Sequence, residues 1–440
     1  MPGRAQEHIY FGEVTMAARL GAPGGGSRRH PDAVLSQIAR LVAAGEVSHR
    51  LDLSRATGLS RSSVHTHVQR LVDSGLLHGD DAAGGGRGRP ALRLRLAGDA
   101  GVVLIADVAP SAVRCVVADL TQRALADQTV PWRISDGPEP SLAVLVDQFA
   151  ELLAAARVPA DRPRVLVIGL PGPVDVARGI PVRPPIMPGW DGFPVAERLA
   201  AELGCPVLVD NDVNLMALGE ARTVPAEKLP VLFVTVGAGI GAGLVLADGT
   251  LHRGADGAAG DIGHVPVPGA DDVVCRCGKV GCVEAVASTA ALARPRASAG
   301  DDAAGATEAG AAEDGAAMQA FLTRLRDGRP DALRSVRAAG AALGEVIALC
   351  IHMLNPRHVV LGGDVVEASD DLLSEVRGVV YRNALPLATR DLSITQSVLG
   401  RDASVVGAMV LGIEHLLSPA EVGRFLPNLG VRSAQRNTSG

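Results

Sequence analysis

Residues 260–284 run GDIGHVPVPGADDVVCRCGKVGCVE and bring one histidine, His264, close in sequence to three cysteines, Cys275, Cys277 and Cys282. One imidazole and three thiolates form a closed tetrahedral ligand set, the usual composition of a structural Zn²⁺ site. The spacing is not that of a zinc finger, but the glycines around the last cysteines permit a tight turn. We predict a structural Zn²⁺ on these four side chains, which would organise the loop and not activate water. The alternative is three unrelated thiols near a surface histidine.

The other three cysteines, Cys115, Cys205 and Cys350, stand alone in apolar stretches. Free cysteine is among the most buried residue types, so these three are expected to be small core residues. Six cysteines in 440 residues do not indicate a disulfide framework.

The length and composition indicate a globular protein of two or three domains, with 47% hydrophobic and 20% charged residues in 440. No stretch reaches the roughly 18 uninterrupted apolar residues of a membrane span. The first residues include Glu7 and Glu13 and lack the apolar core of a secretory signal. We therefore expect a cytoplasmic protein without a membrane partner.

The net charge of −6 is unevenly distributed. Residues 1–98 carry 13 Lys and Arg against 8 Asp and Glu, whereas the rest carries 29 against 40. A basic N-terminal part on an acidic body suggests that only the N-terminal part meets a polyanion.

Three helical patterns followed by two strand patterns occupy the region before residue 99. They are an apolar helical repeat over 34–42, a helix over Arg50–Thr57, a helix capped by Ser60 and stopped by Gly75, and strands at 76–78 and 91–96. This order predicts a winged helix-turn-helix, whose third helix enters the major groove of DNA.

The polar face of the third helix offers hydrogen-bonding groups and arginines, the residue types that contact base edges and phosphates. The predicted DNA-contacting residues are Ser60, Arg61, Ser63, His65, Thr66, Gln69 and Arg70. The alternative is an ordinary solvated face, but no acid stands between Leu59 and Val72. Arg87 and Arg89, in the Gly-rich loop between the two strands, are predicted to enter a narrow minor groove; a flexible basic linker is the alternative.

From about Gly101 the pattern becomes one of short apolar runs separated by amphipathic stretches, which indicates α/β layers. The predicted strands are 102–107, 164–169, 206–209, 231–236 and 358–361, and the last strong helical pattern covers 405–417. An Ala/Gly/Asp-rich segment at 299–317 is predicted to be a surface insertion or a weak helix.

Five segments, in order, resemble the ROK family of repressors and sugar kinases. They are Gly169-Leu-Pro-Gly-Pro-Val-Asp175, Val209-Asp-Asn-Asp-Val-Asn214 with Gly219-Glu220, Gly237-Ala-Gly-Ile-Gly241, Gly260-Asp-Ile-Gly-His264, and the cysteine segment ending at Glu284. The N-terminal winged helix is similar to that of the family's repressor branch, which includes xylose and N-acetylglucosamine repressors.

The resemblance implies an α/β fold: a winged helix-turn-helix followed by a two-lobed actin-like ATPase (ROK sugar-kinase) body that binds sugar in a cleft. It also implies that sugar hydroxyls contact Asn211, Asp212, Asp261, His264 and Glu284. Asp212 would correspond to the general base of the kinases, retained here as a vestige. The alternative role of Asp212 is that of a turn or helix-cap residue.

Two departures from the kinases concern phosphate binding and one concerns the sugar. The first phosphate loop, Asp-x-Gly-Gly-Thr in the kinases, is Asp107-Val-Ala-Pro-Ser111 here, and a proline has no N–H to donate. In the second loop, Ala238 replaces the usual Thr. Asp107, Gly237, Gly239 and Gly241 are therefore interpreted as vestigial nucleotide-binding residues and no catalysis is expected. Asp261, where the family usually has Glu, suggests an altered sugar preference.

The resulting hypothesis is a repressor of carbohydrate-metabolism genes, working as a homodimer or homotetramer on pseudo-palindromic double-stranded DNA. A sugar or sugar phosphate would control it. An ATP-dependent hexose kinase with an accessory DNA-binding domain, and a ligand-independent regulator, stay open. The predicted domains are a tail 1–30, the winged helix 31–98, lobe 1 at 99–224, lobe 2 with zinc at 225–400, a helix at 401–418 that returns to lobe 1, and a tail 419–440.

Overall fold

The structure, a computed structural model, describes residues 18–20, 31–45, 47–81, 92–159, 161–294 and 308–424. Its helices are α1 (Pro31–Ala43), α2 (Arg50–Thr57), α3 (Arg61–Asp73), α4 (Pro138–Ala155), α5 (Val195–Leu203), α6 (Asp212–Thr223), α7 (Glu284–Ala287), α8 (Thr289–Ala293), α9 (Glu308–Arg326), α10 (Pro330–Leu354), α11 (Asp364–Ala368), α12 (Asp371–Asn383), α13 (Pro386–Thr389) and α14 (Ala403–Leu416). Its strands are β1 (Leu77–Asp81), β2 (Leu92–Leu96), β3 (Val102–Val108), β4 (Ala112–Asp119), β5 (Ala124–Pro131), β6 (Pro163–Leu170), β7 (Val174–Asp175), β8 (Ile180–Pro181), β9 (Val207–Asn211), β10 (Val231–Val236), β11 (Ile240–Val245), β12 (Leu251–His252), β13 (His358–Gly362) and β14 (Ser393–Gln396).

The chain forms two compact units. The first comprises Met1–Asp212 together with Val405–Gly440, and the second comprises Val213–Ser404. The residues from Val405 onward thus group with the first unit, and most of α6 groups with the second.

Helices α1, α2 and α3 and the antiparallel pair β1–β2 form the N-terminal domain. Its core contains Leu35 and Ile38 of α1, Leu53 of α2 and Val68 of α3, all fully buried. Gly58 ends α2 in the left-handed conformation that favours glycine, with φ of 70°. The predicted wing arginines, Arg87 and Arg89, lie outside the described residues.

Helix α1 is joined to the C-terminal helix α14 through side chains that bind backbone carbonyls. The buried hydroxyl of Ser36 donates to the carbonyl of Leu417. One guanidinium nitrogen of Arg40 donates to the carbonyl of Glu414 at 3.0 Å. Carbonyls at a helix C-terminus lack intrahelical partners, so these side chains satisfy them and fix the N-terminal domain to the end of α14.

The larger sheet of the first unit has the strand order β5-β4-β3-β6-β9. Strands β3, β4 and β5 are antiparallel neighbours, whereas β6 and β9 run parallel to β3. Helices α4 and α5 share a core with one face of the sheet. On the other face, Gly412 of α14 lies so close to Val103 and Val167 that a Cβ atom would be 2.6 Å from Val103. Helices on both faces bury the sheet, as the apolar runs predict.

The larger sheet of the second unit repeats this topology with the order β12-β11-β10-β13-β14. Again three strands are antiparallel neighbours and the last two run parallel to the central strand β10. Helices α9, α10 and α12 pack on one face, and α6 packs on the other. The two units therefore contain the same five-stranded arrangement.

Several predicted elements match and others were missed. The prediction for β10 (Val231–Val236) has the observed bounds, and the helix predicted over 405–417 is α14. Strands β4, β5 and β11 were not predicted, because each follows its neighbour through a short hairpin without an intervening helix. Of the segment 299–317, the part from Glu308 belongs to α9.

One helix in the described part of the chain, α10, is long and apolar enough to cross a membrane by length and composition alone. Its buried side chains, among them Val336, Leu343 and Ile347, belong to the core of the second unit. A core helix passes the same test of length and hydropathy.

Candidate DNA-binding and effector sites

Recognition helix α3 is fixed at its start and along one face. The Ser60 hydroxyl accepts a hydrogen bond from the backbone N–H of Ser63 at 3.1 Å, which confirms Ser60 as the N-cap. Val64, Val68 and Leu71 are buried against the rest of the domain. Burial of this face fixes the rotation of α3 about its own axis, so the opposite face is exposed.

The structure places four of the predicted DNA-contacting residues, Arg61, His65, Thr66 and Arg70, on the exposed face of α3. Ser60 is also exposed but serves as the cap, and Ser63 and Gln69 are half-buried. The other two predicted residues are the wing arginines.

Gln69 is already engaged inside its own helix. Its amide nitrogen donates to Oδ1 of Asp73 at 2.8 Å. Gln69 would have to give up this bond to contact DNA through its amide N–H, which makes it a weaker candidate than Arg61 or Arg70.

Arg50 of α2 is a residue that the sequence interpretation missed. One of its guanidinium nitrogens, Nη1, lies 3.0 Å from Nδ1 of His65. No motif marks Arg50; only the packing of α2 beside α3 brings the two side chains together.

The four side chains of the predicted metal site come together in the structure. The ligand atoms of His264, Cys275, Cys277 and Cys282 all lie within 4.8 Å of one another. The sulfurs of Cys277 and Cys282 are 3.8 Å apart, and the Cys275 sulfur is 3.7 Å from His264 Nδ1. Tetrahedral coordination with Zn–S bonds of about 2.3 Å requires sulfurs about 3.8 Å apart. The cluster has the composition and spacing to hold a metal ion.

The thiols need a nearby positive charge to ionise together. Burial raises the pKa of Cys282 to about 12 and also raises the pKa of Cys275. Partial burial acts upward on Cys277 too, but the N–H of Lys279 and the neighbouring thiols outweigh it and lower its pKa. A divalent cation would supply the compensating charge, since a coordinated thiol is deprotonated.

Three residues predicted to bind sugar belong to the second unit: His264 is part of this cluster, and Asp261 and Glu284 lie beside it. His264 turns Nδ1 toward the sulfurs, while its Nε2 lies 3.8 Å from a carboxylate oxygen of the exposed Asp261. Glu284 accepts a hydrogen bond from the backbone N–H of Ile240 at 3.0 Å, and its other oxygen lies 4.0 Å from the Cys275 sulfur. Glu284 thus lies between the Cys275 thiol and the backbone of the segment Gly237–Gly241.

The other two predicted sugar-binding residues belong to the first unit. Asn211 ends β9, and its side-chain amide donates to the carbonyl of Gly172 at 2.9 Å. Asp212 is the first residue of α6. Carboxylates are favourable in the first turn of a helix, so this position also fits the cap role considered from the sequence. Asp107, the candidate nucleotide-binding residue of this unit, lies in the central strand β3.

The turn that corresponds to the first phosphate loop is bonded within the protein. The Ala109 N–H donates to the Ala112 carbonyl at 2.9 Å, and the indole N–H of Trp132 donates to the Ala109 carbonyl at 2.9 Å. The Ile134 N–H donates to the carbonyl of Pro110 at 3.1 Å. The Ala109 N–H is therefore already used, and Pro110 has none to offer.

The glycines of the second loop meet neighbouring side chains at close range. A Cβ at Gly239 would lie 2.8 Å from a carboxylate oxygen of Glu284, and one at Gly241 would lie 3.0 Å from Val213. The Gly237 N–H donates to the Gly239 carbonyl at 3.0 Å. Packing within the second unit thus leaves little room for a side chain at two of these glycines.

A sequence profile of the ROK family matches residues 107–415. The chain belongs to the ROK family. A second profile, described as a winged helix-turn-helix DNA-binding domain, matches residues 49–77. Together with the two repeated sheets, these matches confirm the predicted fold class: an N-terminal winged helix-turn-helix followed by the actin-like fold of ROK sugar kinases.

Similar ROK proteins include both regulators and kinases. A putative xylose repressor of Caldicellulosiruptor sp. is 28% identical over 401 residues, which cover 88% of this chain and 98% of the relative. A glucokinase of Halalkalibacterium halodurans is 34% identical over 243 residues, covering 54% of this chain and 73% of the relative. A solved ROK family transcriptional regulator, a homologue of the Escherichia coli Mlc protein, is 25% identical with a TM-score of 0.72, covering 89% of this chain and 98% of the other.

Proposed function

We propose that the chain is a sugar-responsive transcriptional repressor of carbohydrate-metabolism genes that acts in the cytoplasm. The observation that carries this proposal is the presence, in one chain, of a ROK body and of an exposed polar face on α3 that contains no acid before Asp73. The match with the putative xylose repressor supports this, since it spans 98% of that protein and 88% of this chain.

The effector is a sugar or sugar phosphate whose hydroxyls are bound by Asn211, Asp212, Asp261, His264 and Glu284. Carboxylates and an amide accept and donate the hydrogen bonds that hydroxyls need. His264 serves two purposes: Nδ1 holds a structural Zn²⁺ with the three cysteines, and Nε2 is left beside Asp261. The metal fixes the ring, so the loop presents Asp261 and His264 in a constant position.

The effector must bind two conformations with different affinity, because equal affinity would shift nothing. The contacts of Ser36 and Arg40 with α14 offer a path to the DNA-binding domain. A change in the position of α14 would move α1, because these two hydrogen bonds join them.

A hexose kinase with an accessory DNA-binding domain is the second candidate, favoured by the glucokinase relative and by Asp212. Against it stands the turn at Ala109 and Pro110, whose backbone groups are bonded internally or absent. A coupled ATP assay with a hexose panel discriminates the two, since turnover would support the kinase.

A ligand-independent regulator is the third candidate. This candidate predicts that no sugar raises the unfolding temperature of the chain.

The repressor proposal predicts specific duplex binding that a sugar alters. Selection from a randomised duplex pool by the full chain should enrich one motif, and Arg61→Ala should weaken binding to it by about 5- to 100-fold in fluorescence anisotropy. At least one of D-xylose, D-glucose, N-acetylglucosamine or their phosphates should change the affinity by about 5-fold or more. Arg334→Ala, which removes an exposed arginine near the start of α10 in the second unit, is the control and should bind as the wild type. Absence of any enriched motif would refute the repressor proposal.

We further propose a homodimer as the smallest assembly, formed at the adjoining ends of α10 and α12. Exposed apolar side chains lie near the C-terminal ends of these two helices and in the residues that follow α12: Leu349, Met353, Tyr381, Leu385 and Leu387. The two helices lie side by side there, as shown by the 2.8 Å hydrogen bond from the Asn383 amide to Glu345. Exposed apolar patches of this kind mark association surfaces, and a second copy would suit a pseudo-palindrome.

Charges placed on this surface should separate the dimer. The double substitution Met353→Glu and Leu387→Glu is expected to give a monomer by light scattering coupled to size exclusion, because two carboxylates would lose their water in the interface. Val398→Glu, at another exposed apolar position in the same unit, should leave the mass unchanged. A dimeric double variant would exclude this surface.

A further inference from the structure

A contact between two helices of the DNA-binding domain defines the hydrogen-bonding state of an exposed histidine on α3. His65 is exposed, whereas Arg50, at the first position of α2, is half-buried. Nη1 of Arg50 lies 3.0 Å from Nδ1 of His65, a distance typical of an N–H···N hydrogen bond.

Only one arrangement of protons is compatible with this hydrogen bond. A guanidinium group has five N–H donors and no acceptor, and it stays charged at any pH of interest. Nδ1 of His65 must therefore be the acceptor. A neutral imidazole that accepts at one nitrogen carries its proton on the other, so Nε2 is the donor.

Nε2 of His65 is therefore already a hydrogen-bond donor in the DNA-free protein. In the major groove, guanine presents two neighbouring acceptors, N7 and O6, whereas adenine presents one acceptor beside a donor, thymine presents one acceptor beside a methyl group, and cytosine presents a donor. A single N–H from an imidazole is best satisfied at guanine. Without Arg50 the ring could adopt the other tautomer, with Nε2 as an acceptor, and a base with a donor would then also be tolerated.

We propose that Arg50 is a positioning residue that holds His65 as a hydrogen-bond donor, so that His65 selects guanine at one position of the operator. This inference rests on the proposed DNA-binding function. It assigns to Arg50 a role different from that of a phosphate contact, which would weaken binding to all sequences alike.

The test is the base preference of the full chain, measured by sequencing duplexes selected from a randomised pool. The variants are His65→Ala, Arg50→Met and Arg50→Lys, with Arg55→Met as the matched control. Arg55 is an exposed arginine on the same helix α2, and it pairs with Asp52 instead of His65. Thermal unfolding of each variant confirms that the domain is folded.

We expect His65→Ala to abolish a guanine preference at one position and at its symmetry mate. Arg50→Met should lower the preference at that same position by about 5-fold or more while leaving the other positions intact. Arg50→Lys, which retains a donor, should restore part of it, and Arg55→Met should not change it.

Two results would overturn the inference while leaving the repressor proposal standing. One is a motif in which no position depends on His65. The other is an Arg50→Met variant that keeps the preference or loses affinity equally at every position. If the wild-type chain enriches no motif, the proposed function fails and the inference fails with it.

Discussion

Exchange of Cys282 for serine is expected to abolish metal binding by the cluster of His264 and the three cysteines and to lower the unfolding temperature of the second unit by about 10 °C. Cys282 is buried, and its sulfur lies 3.8 Å from that of Cys277. A serine hydroxyl is shorter, harder and neutral, so it cannot replace a thiolate in a tetrahedral set. Three remaining ligands would leave the loop without the ion that neutralises them.

The measurements are metal content per chain by mass spectrometry and unfolding followed by calorimetry. The wild type should carry about one zinc ion per chain, and the variant about none. Cys115→Ser is the matched control, since Cys115 is an equally buried thiol in β4, away from the cluster. It should cost some stability through its buried hydroxyl but retain the metal. A metal-free wild-type chain with the same unfolding temperature as Cys282→Ser would refute the zinc assignment.

The metal cluster was predictable because its residues are local in the sequence. His264 and the three cysteines lie within 19 consecutive residues, 264–282, so a few turns suffice to bring them together. The ligand chemistry then leaves few other uses for one imidazole and three thiols. The recognition helix was predictable for a similar reason, because the period of Val64, Val68 and Leu71 and the cap Ser60 are local features.

Contacts between residues distant in the chain were not predictable. Ser36 donates a hydrogen bond to the carbonyl of Leu417, 381 positions away, and no sequence pattern near either residue predicts this contact. The contact of Arg50 with His65 spans only 15 positions, yet it depends on the packing angle of two helices. Sequence patterns show which face of a helix is apolar but not which polar side chains meet across the gap.

Glycine roles were ambiguous in the sequence because different causes require the same residue. A phosphate and a neighbouring carboxylate both exclude a side chain, so Gly239 suits either reason. The structure supplies the second reason through Glu284. Strand β5 was hard to predict for a further reason: it is an edge strand whose second half is mostly exposed, so its sequence resembles a loop until its partner strand is known.

Gly260→Ala is expected to destabilise the second unit strongly. Gly260 has φ of 98°, in the region that favours glycine, and a Cβ there would lie 1.9 Å from the backbone oxygen of Ala242. The backbone of Ala242 cannot move aside as the end of a flexible side chain can. Strain and overpacking together are expected to cost about 3 kcal/mol or more, which lowers the unfolding temperature of the second unit by about 6–12 °C.

Gly269→Ala is the control that separates the cost of a positive φ from the cost of a steric clash. Gly269 also has a positive φ, 78°, but a Cβ there would meet nothing within 4 Å among the described residues. It should therefore show only the conformational cost, about 1 kcal/mol. The Gly260 carbonyl accepts hydrogen bonds from the N–H groups of Ala242 and Ile262, so moving it also displaces the segment that carries Asp261 and His264. Gly260→Ala should thus weaken metal retention as well as stability, whereas equal unfolding temperatures for the two variants would show that the contact with Ala242 is not what requires glycine at position 260.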